Sequence, residues 1–252
     1  MPRTVWSWGY NVFGGLGLGD TTNRSSPVQV GALTNWLNVA GGQYHTVAIK
    51  TDGTLWSWGY NGYGNLGNGN TTNYSSPIQI GSLTNWLSIT CGYWHTVATK
   101  TDGTIWAWGA GGQGRLGQGN TTAYSSPKQI GALTNWLKIS AGNYWNTSIK
   151  TDGTLWAWGY NAHGELGNGN TTNYSSPIQV GSLTTWDKVS NGNIDAFAIK
   201  TDGTLWAWGS NNFGVLGLGN TTAYSSPKQV GTSTSWSAIS SWNYAALGIA
   251  KT

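Results

Sequence analysis

The sequence predicts an all-β fold, a single five-bladed β-propeller with four antiparallel strands per blade. Three observations predict it. Five 50-residue repeats, 1–50, 51–100, 101–150, 151–200 and 201–250, follow one another without insertion, the mark of a repeat architecture. Each repeat holds four short strand-like runs between turn signals, and no segment sustains a helical period. The two ends of the 252-residue chain are complementary: residues 1–30 supply the third and fourth strands of a blade, and residues 236–252 the first and second. Joining N-terminal strands C and D to C-terminal strands A and B completes the fifth blade and makes 1–252 one domain.

The elements follow in order. Strand A is Asn85 to Thr90 and strand B is His95 to Lys100. The turn Thr101-Asp102-Gly103 comes next, and Asp-Gly between alternating apolar runs is a strong hairpin signal. Strand C is Thr104 to Gly109, and strand D is Ser126 to Ile130. A proline in every strand D (Pro27, Pro77, Pro127, Pro177, Pro227) suits an edge that must not recruit another sheet.

Composition narrows the class. Only 8% of residues are charged, but aromatics reach 13%, so the chain folds around aromatic burial rather than staying disordered. Fifteen of the 18 tryptophans recur at three repeat positions, represented by Trp6, Trp8 and Trp36, which marks them as core. The net charge of +4 is small and scattered, which argues against a nucleic-acid partner. Lys50, Lys100, Lys150 and Lys200 precede Thr-Asp-Gly turns and read as a solvated rim. The lone Cys91 excludes an intrachain disulfide. The N-terminal stretch holds no apolar run long enough for a signal peptide or a membrane span. Membrane insertion is therefore not expected, and a cytoplasmic or virion-associated protein is expected rather than a classically secreted one.

From Gly42 to Gly67, and again from Gly92 to Gly117, the chain carries Gly-x-x-His-Thr-x-Ala, then Asp-Gly, Trp-Gly and Gly-x-Leu-Gly. This pattern resembles the regulator of chromosome condensation repeat family, and the resemblance covers the whole chain. It implies a four-stranded propeller blade. The signature His stands as His45 and His95 but is replaced by Trp145, Asp195 and Ala245. The family's best-known members have seven blades. Its nucleotide-exchange members use a β-wedge insertion and a basic tail, and this chain shows neither, so exchange is not expected. The chain is also similar to the propeller-type β-lactamase inhibitor protein, which implies protein binding through aromatic loops.

Differences among the repeats concentrate in the A–B turns and at the start of the C–D loops, which leave an antiparallel blade on one face. The A–B turns supply Tyr44, His45, Tyr93, Trp94, His95, Tyr144, Trp145, Asp195, Trp242 and Tyr244 as binding candidates. The C–D loops, which also hold Tyr10 and Tyr60, supply Phe13, Tyr63, Arg115, His163, Glu165 and Phe213. Trp94, Trp145 and Trp242 break the scaffold's tryptophan pattern and are expected to be exposed anchors. Tyr, Trp and Asn on loops of a rigid scaffold suit recognition of a protein or a glycan.

Catalytic residues are not identified, because no nucleophile–base pair recurs and Glu165 beside His163 is one lone pair. His45 and His95 lack a third metal ligand, so neither a metal nor another cofactor is expected. Two further readings remain open. Near-constant Gly-Asn-Thr-Thr loops at Asn70, Asn120, Asn170 and Asn220 suit a multivalent lectin, although turn chemistry also explains them. A structural or decorating component of a larger assembly, such as a phage particle, fits a compact chain. The ligand and the oligomeric state are not readable.

Overall fold

The computed structural model describes residues 2–243 and 245–251, and its strands group into two compact units. The first unit, Met1–Gly111 with Thr122–Thr134, opens with β1 (Trp6–Gly9) and β2 (Arg24–Gln29) as a two-stranded sheet. Two four-stranded antiparallel sheets follow in it. They are β3 (Trp36–Gly41), β4 (His45–Lys50), β5 (Leu55–Gly59) and β6 (Tyr74–Gln79), then β7 (Trp86–Cys91), β8 (His95–Lys100), β9 (Ile105–Gly109) and β10 (Tyr124–Gln129).

The second unit, Gly112–Thr121 with Asn135–Thr252, has the same plan reversed. Its four-stranded sheets are β11 (Trp136–Ala141), β12 (Trp145–Lys150), β13 (Leu155–Gly159) and β14 (Tyr174–Gln179), then β15 (Trp186–Asn191), β16 (Asp195–Lys200), β17 (Leu205–Gly209) and β18 (Tyr224–Gln229). A two-stranded sheet, β19 (Trp236–Trp242) and β20 (Ala245–Ala250), ends it. The only helix among the described residues is a 3-10 turn at Gly112–Gly114.

The all-β propeller architecture with four antiparallel strands per blade is as expected, and twenty strands are the complement of five such blades. The terminal strands also keep their expected roles. Trp6 pairs with Gln29 as Trp56 pairs with Gln79, and Trp236 pairs with Ala250 as Trp36 pairs with Lys50. Within its own unit each of these pairs forms a two-stranded sheet. Trp8 is 59% exposed, whereas its counterpart Trp58 is buried and donates to Gly15 O of the preceding C–D loop.

The constant turns are built by short hydrogen-bond chains. Trp56 Nε1 donates to Thr54 Oγ1 at 2.9 Å, and that hydroxyl donates to Asp52 Oδ1 at 2.7 Å. Asp52 Oδ1 also accepts from the Thr54 amide at 3.0 Å, an Asx turn that closes the B–C hairpin. The same set recurs at Asp102, Asp152 and Asp202. These bonds, led by the threonine hydroxyl, hold the four carboxyls below the usual range.

The lysines correct the expectation of a solvated rim. Lys50 Nζ sits 5.1 Å from the ring centre of Trp36 and 3.3 Å from that of Trp56. Lys100, Lys150 and Lys200 are held in the same way between two tryptophans. The indole faces replace part of the lost hydration by cation–π attraction. Desolvation still lowers each ammonium's pKa, and the turn aspartate opposes it.

Successive blades are joined through the C–D loop. Its first asparagine is buried and organises the loop from inside: Asn161 Oδ1 accepts from the Leu166 amide at 2.9 Å, while Nδ2 donates to Asn170 O at 3.0 Å and Thr172 O at 2.9 Å. Asn11, Asn61 and Asn211 repeat the pattern. Asn161→Ala is expected to lower unfolding free energy by roughly 2–4 kcal/mol, because several buried backbone groups lose their partner at once. Urea denaturation of the variant would measure it; a change near zero would show that the loop finds other partners.

Candidate functional site

Within the first unit, the A–B turns and C–D loops bring seven aromatic rings into one continuous ladder. The Tyr60 amide donates to Tyr44 O at 2.9 Å, which pins the end of strand C beside the turn before strand B. Phe13, from the C–D loop of the preceding half-blade, packs 5.1 Å from both Tyr44 and Tyr60 between ring centres. Tyr10 lies 5.8 Å from Tyr44. Tyr63 repeats the role of Phe13 one blade later: it lies 6.2 Å from Tyr60 and 5.2 Å from Trp94. Tyr93 completes the run at 5.5 Å from Trp94. The rings meet mostly tilted or edge to face, the favoured geometries for aromatic pairs. Tyr10 is 56% and Tyr63 42% exposed, and the other five are partly exposed. Tyr10 and Tyr60 thus join the expected set.

The second unit presents different chemistry on its corresponding loops. The Arg115 guanidinium stacks 4.5 Å over Tyr144 and donates from Nε to Gly112 O at 2.8 Å. Tyr144 meets Tyr160, and Tyr160 meets His163. Glu165 accepts from the His163 amide at 2.8 Å and faces its Nδ1 at 3.1 Å. Burial raises the Glu165 pKa, and its bonds to backbone and to His163 oppose this. Asn143 donates to Asn193, and Asn193 Nδ2 donates to Asn243 Oδ1 at 3.0 Å, so this amide run knits neighbouring turns together.

Several expected binding residues are buried instead of exposed. His45, His95, Trp145, Asp195, Arg115 and Glu165 offer almost no surface to a partner. His45 Nε2 lies 3.2 Å from Thr96 Oγ1, and that hydroxyl spends its own proton on Asn65 O, so the imidazole is the donor. Burial pushes its pKa down to about 4, which keeps the ring neutral. Trp145 is fully buried and donates to Asn193 O at 3.2 Å in the next blade. His163, Phe213 and Trp242 are exposed, and Tyr144 is partly so. Tyr244 lies outside the described residues. The Gly-Asn-Thr-Thr loops spend their amides internally, since Asn170 Oδ1 accepts from the Thr172 amide at 2.9 Å and Nδ2 donates to Tyr174 at 3.2 Å. Turn chemistry accounts for them.

Of the three irregular tryptophans, then, one is core. Trp145→Ala should cost about 3–5 kcal/mol of stability through the cavity it leaves. Trp242→Ala, at a position 80% exposed, should change stability by no more than ~0.5 kcal/mol. Equal effects of the two variants in thermal or urea unfolding would overturn this division.

The geometry can be set beside known proteins. No curated protein matches the chain. Human WBSCR16 superposes with a TM-score of 0.88 at 22% identity, covering 99% of this chain and 68% of its own. Saccharomyces cerevisiae Prp20p superposes with a TM-score of 0.87 at 21% identity, covering 100% of this chain and 65% of its own. A chain of the complex of Kap60 with yeast RCC1 (Prp20) gives 0.87 at 20%, covering 99% and 63%. This chain thus spans about two thirds of the length of these structures, and such identities establish shared fold alone. The regulator of chromosome condensation (RCC1) repeat model matches residues 4–49, 52–99, 102–148, 152–194 and 202–241, and a second model of the repeat matches 36–65 and 86–115. With one match in each of its five repeats, the chain belongs to the RCC1 repeat family.

Proposed function

We propose that this chain is a non-catalytic interaction module that binds a protein partner through the aromatic ladder of its first unit. The ladder carries the reading: Tyr10, Phe13, Tyr44, Tyr60, Tyr63, Tyr93 and Trp94 form one partly exposed surface on loops whose backbone is pinned by the blades. Exposed apolar surface is unfavourable unless something covers it. Tyr and Trp anchor protein interfaces because they bring large area at low entropy cost. The absence of Lys and Arg from the ladder argues against a nucleic-acid backbone as the partner. Prp20, of the same fold, is bound by Kap60 in one structure and has binding properties towards Gsp1p and histones. That is precedent for protein recognition by such blades, though not for the identity of this partner.

The test is a triple variant, Tyr44→Ala, Tyr63→Ala and Trp94→Ala, compared with the parent chain against a partner isolated from the native source. Each truncation at an interface anchor is worth about 2 kcal/mol, so affinity should fall by well over 100-fold for the triple variant. The melting temperature should change little. Full affinity in the triple variant would reject the ladder as the site. A glycan array that binds the parent chain, with no protein captured, would reject the protein partner in favour of a lectin.

A further inference from the structure

Asp195 is a buried acid that neither the fold nor the proposed interface uses. It opens β16 and is 1% exposed, and neither carboxylate oxygen has a hydrogen-bond partner among the described residues. Its carboxylate lies over Gly192, where an added Cβ would stand 2.6 Å from Oδ2. In earlier repeats the same slot holds a neutral donor that reaches the next blade. His45 donates to Thr96 at 3.2 Å, and Trp145 donates to Asn193 O at 3.2 Å. At the same offsets from Asp195 as those two acceptors hold from His45 and Trp145 stand Ala246, which has no polar side chain, and Asn243, whose main-chain carbonyl can only accept. A carboxylate cannot donate to it. A carboxylic acid can.

We propose that Asp195 is a protonation-dependent latch: as the neutral acid it donates to the main-chain carbonyl of Asn243, next to the end of β19, and as the carboxylate it releases the β19–β20 hairpin. Other bonds that fasten the hairpin among the described residues are Asn193 Nδ2 to Asn243 Oδ1 at 3.0 Å, the Ser241 amide to Ser190 Oγ at 3.2 Å, the Ser190–Ser241 hydroxyl pair at 3.4 Å and the Trp236 amide to Gly203 O at 3.1 Å.

The surroundings isolate the titration. β17, β19 and β20 bring no titratable side chain. β15 brings Asp187 and Lys188 at its far end, where Asp187 pairs with both Lys138 and Lys188. β12, packed on β15, brings Lys150, which is held between Trp136 and Trp156. From the C–D loop comes Glu165, whose carbonyl accepts from Trp208 while its carboxylate turns to His163. Tyr244 lies outside the described residues. Burial pushes the Asp195 pKa up to about 7, and the nearby Ile194 amide offsets this only in part. A folded-state pKa above the ordinary 3.8 sets the sign. The stabilising contribution is complete below pH 3.8, declines as pH rises, and is gone above about pH 7.

Hydrogen exchange at pH 5 and pH 8, corrected for intrinsic rates, tests the latch on the full chain. In the parent protein the β19–β20 amides should lose protection by about tenfold or more between the two pH values, while β11–β14 amides change little. Asp195→Asn, a neutral donor of the same shape, should keep the hairpin protected at both. Asp195→His, which copies repeats one and two, serves if the Asn variant fails to fold. The same loss of protection in parent and variant, or a loss spread evenly over the second unit, would overturn the latch.

Discussion

Each four-stranded blade depends on one tryptophan N–H that ends in a loop of the blade before it. Trp58 Nε1 donates to Gly15 O at 3.0 Å and Trp108 Nε1 to Asn65 O at 3.0 Å; in the second unit Trp158 reaches Arg115 O and Trp208 reaches Glu165 O. A buried indole needs such a partner, since the unpaired N–H would cost on the order of 1–3 kcal/mol. The acceptor is main chain, so its residue type is free. Positions 15, 65, 115 and 165 are accordingly Gly, Asn, Arg and Glu. The loop backbone belongs to the core while its side chains stay open to change. This is how a chain so repetitive can carry a different chemistry on each of its units.

Close approach of backbone completes the joint. Gly64, with a φ of +75°, passes so near Ser125 of the next blade that a Cβ would stand 2.5 Å from its Cα. Only glycine fits both the left-handed conformation and the space. With the loop clamped at this glycine and at the indole, the residue between strand C and the clamp has little freedom. Tyr60 and Tyr63 are therefore presented on a rigid mount. Rigid aromatic anchors lose little entropy on binding, which is the physical advantage of placing the ladder here rather than on a longer, looser loop.

The strands, the Thr-Asp-Gly turns and the core tryptophans were legible in the sequence, because each rests on local chemistry repeated every 50 residues. Strand B, expected over His95 to Lys100, is β8 over the same residues. Two things were not legible. The lysines looked solvated because their tryptophan sandwich draws Trp36 from strand A and Trp56 from strand C, a contact no local window contains. The acids and cations on the variable loops looked exposed because Arg115 and Glu165 bury by folding back on their own loop, onto Gly112 and His163.

The irregular tryptophans had a clue that counting them as one class conceals. Trp94 occupies repeat position 44, Trp145 position 45 and Trp242 position 42. Position 44 projects outward, and Trp94 accordingly joins the ladder. Position 45 points towards the next blade across position 42, so the two compete for one space. Gly42 lies under the His45 ring, Gly142 under the Trp145 indole and 2.9 Å, measured from an added Cβ, from Gly192 O. A bulky residue at 45 therefore demands glycine at 42, and the first four repeats obey. The fifth inverts the pair, with Ala245 in the slot and Trp242 at the glycine position. With Ala245 in the slot, nothing there demands glycine at position 42, and Trp242 stands 80% exposed. Trp242 also has a local backbone of its own: β19 runs seven residues where other A strands run six, and Asn243 takes a φ of +44°. Trp242 therefore stands exposed, and neighbouring repeats are no guide to its exposure.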